Sequence, residues 1–301
     1  MLPGPITDYP VLMVLIFAIG ATVGSFLNVC IFRLPEAESI VAPPSRCGSC
    51  GRRLRFLDLI PILSALIFRF RCRYCGHAYS WQYPFVEALT GTLFLASVIV
   101  FGPSLEAAVT IVVSCSLIVI FFIDLRYLII PDGLNAIILV CGLVLDVHLL
   151  ATHGWRQGAV RFQEVFSGPL GAPPVSVDAL TGAIHWVYLP RSVVGILVGA
   201  GLFLLISWAA GKIFQREAMG GGDVKLAGAM GAVLGGGYLF FTYALISIVL
   251  GAVVGVLLIA LRIRSRRGQI PFGPMMAVAG ILMLFWKDPI ASFVARLYHL
   301  P

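Results

Sequence analysis

PVLMVLIFAIGATVGSFLNVCIF, residues 10–32, contains no charged side chain. Coiled into an α-helix at about 1.5 Å per residue, a run of this length crosses a hydrocarbon layer roughly 30 Å thick. It has neither the basic start nor the small-residue cleavage site of a secretory signal peptide, so it reads as a retained membrane anchor. The rest of the 301-residue chain has the same character. It is 59% hydrophobic and 12% charged, with a mean hydropathy of +0.99, which a soluble domain does not need. Further apolar runs near residues 86–101, 107–123, 133–151, 192–214, 224–236, 238–261 and 274–292 bring the expected number of spans to eight. The fold class is therefore an all-α polytopic membrane protein of about eight transmembrane helices. Two of these spans are weakly delimited: a glycine turn, Gly235-Gly236-Gly237, splits one long run, and Lys287-Asp288-Pro289 interrupts the last.

Basic residues orient these spans. Arg33, Arg46, Arg52, Arg53, Arg55, Arg69, Arg71 and Arg73 fall in the segment 33–85, and Arg262, Arg264, Arg266 and Arg267 follow the seventh span. With Arg126, Lys212, Arg216 and Lys225 they place 16 of the 21 basic residues on one side, which the positive-inside rule makes cytoplasmic. The net charge of +7 then reflects topology and contact with membrane lipid, and gives no reason to expect nucleic-acid binding.

Two stretches are too polar or too broken to span. Residues 33–85 contain Cys47-Gly48-Ser49-Cys50-Gly51 and Cys72-Arg73-Tyr74-Cys75-Gly76, two Cys-x-x-Cys pairs with 21 residues between them. This spacing fits a tetrahedral zinc site in which each pair forms one knuckle. Two disulfides are the competing reading, but a reducing cytoplasm disfavours them. A four-thiolate shell leaves no open position for water, so the expected role of the metal is structural. His77 reads as a surface residue. Cys30, Cys115 and Cys141 stand singly in apolar runs and read as small core hydrophobes. The second stretch, about 152–190, is an extracytoplasmic insertion rich in Gly and Pro, with Trp155, Phe162, Phe166 and Trp186 available to lie on the membrane surface. The domain plan is a first transmembrane helix at 1–32, a cytoplasmic four-cysteine domain at 33–85, and a membrane core at 86–301 that carries the insertion.

Asp124 and Asp223 end or begin strongly apolar segments in a chain with 14 acidic residues, and carboxylates in such places are costly and usually functional. Two aspartates a few ångströms apart cannot both ionise cheaply. One stays ionised to draw a proton from water, and the other stays protonated to polarise a scissile carbonyl. Gly220-Gly221-Gly222 before Asp223 leaves room for an extended substrate backbone. Taken singly, each aspartate also fits a helix-cap role. Asp132, after Ile130-Pro131, reads as a turn or cap residue opening the fourth span, and Asp146 has no evident partner.

These residues carry a resemblance. Asp124 with Ile130-Pro131-Asp132, followed by the Gly-x-Gly-Asp signature Gly220-Gly221-Gly222-Asp223 and Val224-Lys225-Leu226, resembles the prepilin peptidases, the type 4 prepilin leader peptidases. Gly24-Ser25-Phe26-Leu27-Asn28-Val29 with Arg33-Leu34-Pro35, Pro44-Ser45-x-Cys47-x-x-Cys50, Tyr83-Pro84-x-Val86-Glu87 and Ile270-Pro271-Phe272-Gly273-Pro274 are similar to further family motifs, in family order over residues 20–280. The resemblance implies a multi-pass aspartic endopeptidase of the bacterial inner membrane. Such an enzyme removes the leader peptide of type IV prepilins and of type II secretion pseudopilins on the cytoplasmic side. It also implies that Asp124 and Asp223 are the catalytic pair. Members with the four-cysteine domain N-methylate the new terminus with S-adenosylmethionine, and Cys47, Cys50, Cys72 and Cys75 match that pattern. Asp58-Leu59-Ile60-Pro61 departs from the family's Asp-Asn-Ile-Pro, which bears on methylation rather than proteolysis, and the 152–190 insertion is longer than the family's usual connection.

Other readings fit less of the chain. A presenilin-type intramembrane aspartic protease shares Gly-x-Gly-Asp but gives no reason for the cysteine domain. A proton channel or transporter would carry polar residues deep in several spans. A noncatalytic membrane assembly protein could use the cysteine domain as a docking surface.

Overall fold

The computed structural model describes residues 6–153, 159–161, 188–215, 219–261 and 271–298. Arg216, the basic cluster Arg262 to Arg267, and Trp155, Phe162, Phe166 and Trp186 of the insertion lie outside the described residues. Among the described residues the chain is helical, with helices α1 (Pro10–Arg33), α2 (Leu63–Ile67), α3 (Gln82–Phe101), α4 (Leu105–Tyr127), α5 (Asp132–His153), α6 (Arg191–Phe214), α7 (Gly221–Leu234), α8 (Tyr238–Ala260) and α9 (Gly273–Tyr298). A two-stranded antiparallel ribbon, β1 (Ala159–Arg161) with β2 (Tyr188–Pro190), pairs the two ends of the insertion.

Six of these helices, α1, α3, α4, α5, α6 and α8, are long and apolar enough to cross a membrane. The other two expected spans are helices as well, but α7 is short and the apolar part of α9 runs only over Gly273–Lys287. Helix α7 has 14 residues and reaches only about 20 Å; it starts after Gly220 and stops at Gly235, whose φ is +77°. In α9 the regular helix breaks at Trp286 (φ −115°, ψ 18°), three residues before Pro289. Proline has no N–H and its ring crowds the preceding turn, which explains the break.

The chain forms two compact units, Met1–Ile129 and Ile130–Pro301. In the first, α1 lies against α3 and α4. The sequence permits this because small residues face the contact. A β-carbon on Gly24 would come within 2.7 Å of Glu87 Cα, and one on Gly91 within 2.8 Å of the Phe17 ring. Without a hydrophobic driving force between helices in lipid, such close backbone approach is a main source of packing energy. Asn28, the one amide side chain in the charge-free first run, is buried and donates from Nδ2 to the carbonyls of Tyr83 (3.1 Å) and Gly24 (3.3 Å), tying α1 to the start of α3. Helix α4 begins at Ser104, whose Oγ accepts from the Ala107 N–H at 3.1 Å, and ends where Leu128 takes the left-handed conformation at φ 57°.

In the second unit α7 is buried from Leu226 to Ala232 and is held by α5 and α6. Here the fit is closer still: a β-carbon on Gly195 of α6 would overlap the Gly231 carbonyl of α7, and one on Gly142 of α5 would lie 2.6 Å from the Ala232 carbonyl carbon. Phe203, Phe240 and Tyr243 are fully buried and pack ring to ring, at centroid distances of 6.4 Å and 5.7 Å. Asp146 has a partner after all. Buried in α5, it accepts through Oδ2 from the Ser192 N–H (2.9 Å) and Ser192 Oγ (2.5 Å), and so caps the start of α6.

Two substitutions on one helix test this packing. Gly195→Ala is expected to destabilise the detergent-solubilised protein by about 3 kcal/mol, because the helices must separate. Gly201→Ala, where a β-carbon meets nothing within 4 Å, is expected to leave thermal unfolding unchanged or raise its midpoint.

Candidate functional site

Asp124 lies in the last turn of α4, in the first unit, and its side chain is 5% exposed. Helix α4 is buried around most of its circumference there, Ser116 to Ile120 and Ile123 included. The apolar periodicity of residues 107–123 therefore carries a carboxylate to the end of a buried helix. Next to it, Arg126 donates from Nη2 to Gln82 Oε1 at 2.9 Å and lies over the Phe32 ring at 5.0 Å.

Asp223, in the second unit, is the third residue of α7 and is 8% exposed. Its Oδ2 accepts the Gly220 N–H at 3.2 Å, and its own N–H donates to the Gly220 carbonyl at 3.1 Å. Asp223 thus does cap its helix, and the helix N-terminus in turn favours its negative charge. A β-carbon on Gly221 would meet nothing within 4 Å, so the backbone on that side is open, and a groove of about 670 Å³ between Trp208, Lys212 and Gly220-Gly221 runs up to it. Ile130-Pro131-Asp132 serves the same turn. A β-carbon on Gly222 would lie 3.0 Å from Ile130 Cβ, and Lys225 Nζ bridges both carboxylate oxygens of Asp132 at 2.8 Å. Asp132 sits in the first turn of α5, as its position after proline indicates. The Lys225 pairing was not legible, because the two residues are 93 positions apart.

The structure brings the four cysteines together. The Sγ atoms of Cys47, Cys50, Cys72 and Cys75 all lie within 4.8 Å of one another, a donor set able to hold a metal ion. The two knuckles have the same build. Gly51 N donates to the Cys47 carbonyl and Gly76 N to that of Cys72, both at 2.9 Å, and Gly51 and Gly76 take φ of +67° and +70°. Cys47 Sγ lies 3.9 Å from Cys75 Sγ. That is far beyond a disulfide bond and close to the roughly 3.8 Å edge of a tetrahedron with 2.3 Å metal–sulfur bonds. The backbone N–H of Cys50 and then that of Ser49 hold the Cys47 thiol down at about 6. At Cys75 the His77 N–H favours the thiolate, but desolvation and then the neighbouring sulfurs outweigh it and push the thiol up to about 11. Thiolates crowded in this way are what a divalent cation accommodates. Cys30, Cys115 and Cys141 remain apart in their helices, all with free thiols.

Residues 18–101 match the model of the Bacterial Peptidase A24 N-terminal domain, and residues 170–256 that of the Type IV leader peptidase family. A prepilin leader peptidase/N-methyltransferase of Pseudomonas putida is 32% identical over 294 residues, covering 90% of each chain. The chain belongs to the type IV leader peptidase family. Proteins of the same name from Bacillus subtilis (30% identical, 94% of this chain and 98% of that one) and Myxococcus xanthus (36% identical, 83% of this chain and 64% of that one) are similar as well. No solved structure matches. The two matched regions begin before the cysteine knuckles and end after α7 begins, so both the donor set and Asp223 lie within leader-peptidase sequence.

Metal analysis of the purified leader-peptidase chain is expected to find about one bound ion per molecule. The double variant Cys47→Ser, Cys50→Ser should lose it and expose residues 34–81 to protease.

Proposed function

We propose that this chain is a membrane aspartic endopeptidase that removes the leader peptide of type IV prepilins and type II secretion pseudopilins, and that it N-methylates the N-terminus it creates. The observation that carries the proteolytic half is the placement of its two singled-out carboxylates: each is under one-tenth exposed and sits at the end of a buried helix, Asp124 closing α4 and Asp223 opening α7. The names of its relatives, prepilin leader peptidase/N-methyltransferase, support both halves.

In this reading Asp124 and Asp223 act as one dyad that shares a proton. The ionised member takes a proton from water, whose oxygen bonds to the scissile carbonyl carbon as the carbonyl π pair moves onto its oxygen, and the other member hydrogen-bonds and protonates that oxygen. The tetrahedral intermediate then collapses as a proton passes to the leaving amine. The reaction requires one member protonated while the other is ionised. The Gly220 N–H fixes the Asp223 carboxylate, and the open backbone at Gly221 admits an extended substrate. The dyad works at the cytoplasmic face of the bacterial inner membrane, the side to which the Arg-rich segments assign it.

Zinc is the ion for Cys47, Cys50, Cys72 and Cys75, because four thiolates in tetrahedral order select it. It folds the cytoplasmic segment and takes no part in hydrolysis. S-adenosylmethionine supplies the methyl group for the second reaction. Sulfur keeps the bonding pair as the methyl carbon passes to the uncharged terminal amine, and the nitrogen then releases a proton to water.

Asp124→Asn and Asp223→Asn are each expected to lower leader removal by at least about 10³-fold. Both should leave membrane insertion and zinc content as in the wild type, with mass measurement of the prepilin N-terminus as the readout. Full cleavage by either variant contradicts the dyad.

A further inference from the structure

Tyr243 of α8 is fully buried, yet its hydroxyl has no hydrogen-bond partner among the described residues. A buried tyrosine nearly always gives its O–H to an acceptor, because an unpaired hydroxyl has lost its hydration without replacement. Phenylalanine would fill the same space without that penalty. Neither helix packing nor the aspartate dyad accounts for this oxygen.

Its place in the second unit supplies a role. The short link Gly235-Gly236-Gly237 turns the chain back, so α8 lies against α7 and runs opposite to it. Packing sets their relative height. A β-carbon on Gly199 of α6 would lie 2.4 Å from the Ala227 carbonyl oxygen of α7 and 3.1 Å from the Phe240 ring of α8, so Ala227 and Phe240 stand at one level. Asp223 is one turn before Ala227, and Tyr243 is about one turn after Phe240. In antiparallel helices both steps go the same way, by about 5 Å. Tyr243 therefore comes level with Asp223, and the charge of Asp223 does reach the Tyr243 phenol. Ser247, one turn further along α8, is the second polar group beside that phenol. It is fully buried, and its own proton goes to the Tyr243 carbonyl at 2.8 Å, which leaves its oxygen able to accept.

We propose that Tyr243 is a positioning residue of the peptidase: through one bridging water, its hydroxyl holds the Asp223 carboxylate in its working rotamer. The proposal rests on the dyad reading above. A buried water takes about two to four polar partners, and the phenol, the carboxylate and the Ser247 oxygen provide three. Such a bridge is nearly as favourable as a direct hydrogen bond and spans a gap too long for one. The phenol ring is itself held in place, with Phe240 against it at 5.7 Å and Phe203 against Phe240 at 6.4 Å. On the other side of the carboxylate, the Gly220 N–H donates to Oδ2. A catalytic group restrained from two sides stays aligned for the water it must activate, and alignment of this kind is a large part of a catalytic advantage.

The test compares Tyr243→Phe with the wild type, as full chains in nanodiscs cleaving a purified prepilin. The variant should lower kcat roughly tenfold, the worth of one hydrogen bond, and leave KM unchanged. Its thermal midpoint should equal or exceed that of the wild type, because no hydrogen bond within the protein is lost. Thr242→Val removes the neighbouring hydroxyl, which donates to the Tyr238 carbonyl at 2.9 Å, and should leave kcat at the wild-type value. Wild-type kcat in Tyr243→Phe, an equal loss in Thr242→Val, or a lowered thermal midpoint that accounts for the lost activity overturns the positioning role. Cleavage by Asp223→Asn at the wild-type rate overturns the dyad instead, so the two failures are told apart.

Discussion

Placing a carboxylate at the end of a buried, apolar helix is the constraint on which this structure turns. An ionised side chain under one-tenth exposed loses most of its hydration, and in a membrane chain it persists only where backbone donors, a neighbouring group or chemistry compensate. Asp223 has such a donor in the Gly220 N–H and the favourable end of its own helix. The glycines before it leave that turn open at Gly221 while Ile130 packs against Gly222 on its other side. Asp146 makes the contrast. It is equally buried, but both the N–H and hydroxyl of Ser192 satisfy one of its oxygens, and it holds two helices together instead of meeting solvent.

The second constraint is helix approach without hydrophobic drive. In both units the helices touch where glycine faces backbone: Gly24 and Gly91 between α1 and α3, Gly195 and Gly231 between α6 and α7. Such contacts hold α7, too short to span a membrane, at the centre of its unit.

Much of this was legible in the sequence. Charge-free runs such as residues 10–32 specify helices by length alone, and two Cys-x-x-Cys pairs with glycine after each specify knuckles before any coordinates exist. Chain separation hid the rest. The Lys225 bridge to Asp132, the cap from Asp146 to Ser192, and the tie from Asn28 to Tyr83 join residues 93, 46 and 55 positions apart, and no local pattern encodes them. The length of α7 was obscured for a different reason. Hydropathy counts Val224 to Gly236 as apolar whether or not the helix continues, while the stop at Gly235 depends on a positive φ.

The account as a whole holds that one chain cuts a prepilin and then methylates what it has cut. The most direct measurement is the intact mass of a purified prepilin after incubation with the purified chain in lipid, with and without S-adenosylmethionine. The expected product is the mature pilin lacking its leader, heavier by one methyl group only when the donor is present. A prepilin recovered at its original mass under both conditions contradicts the account.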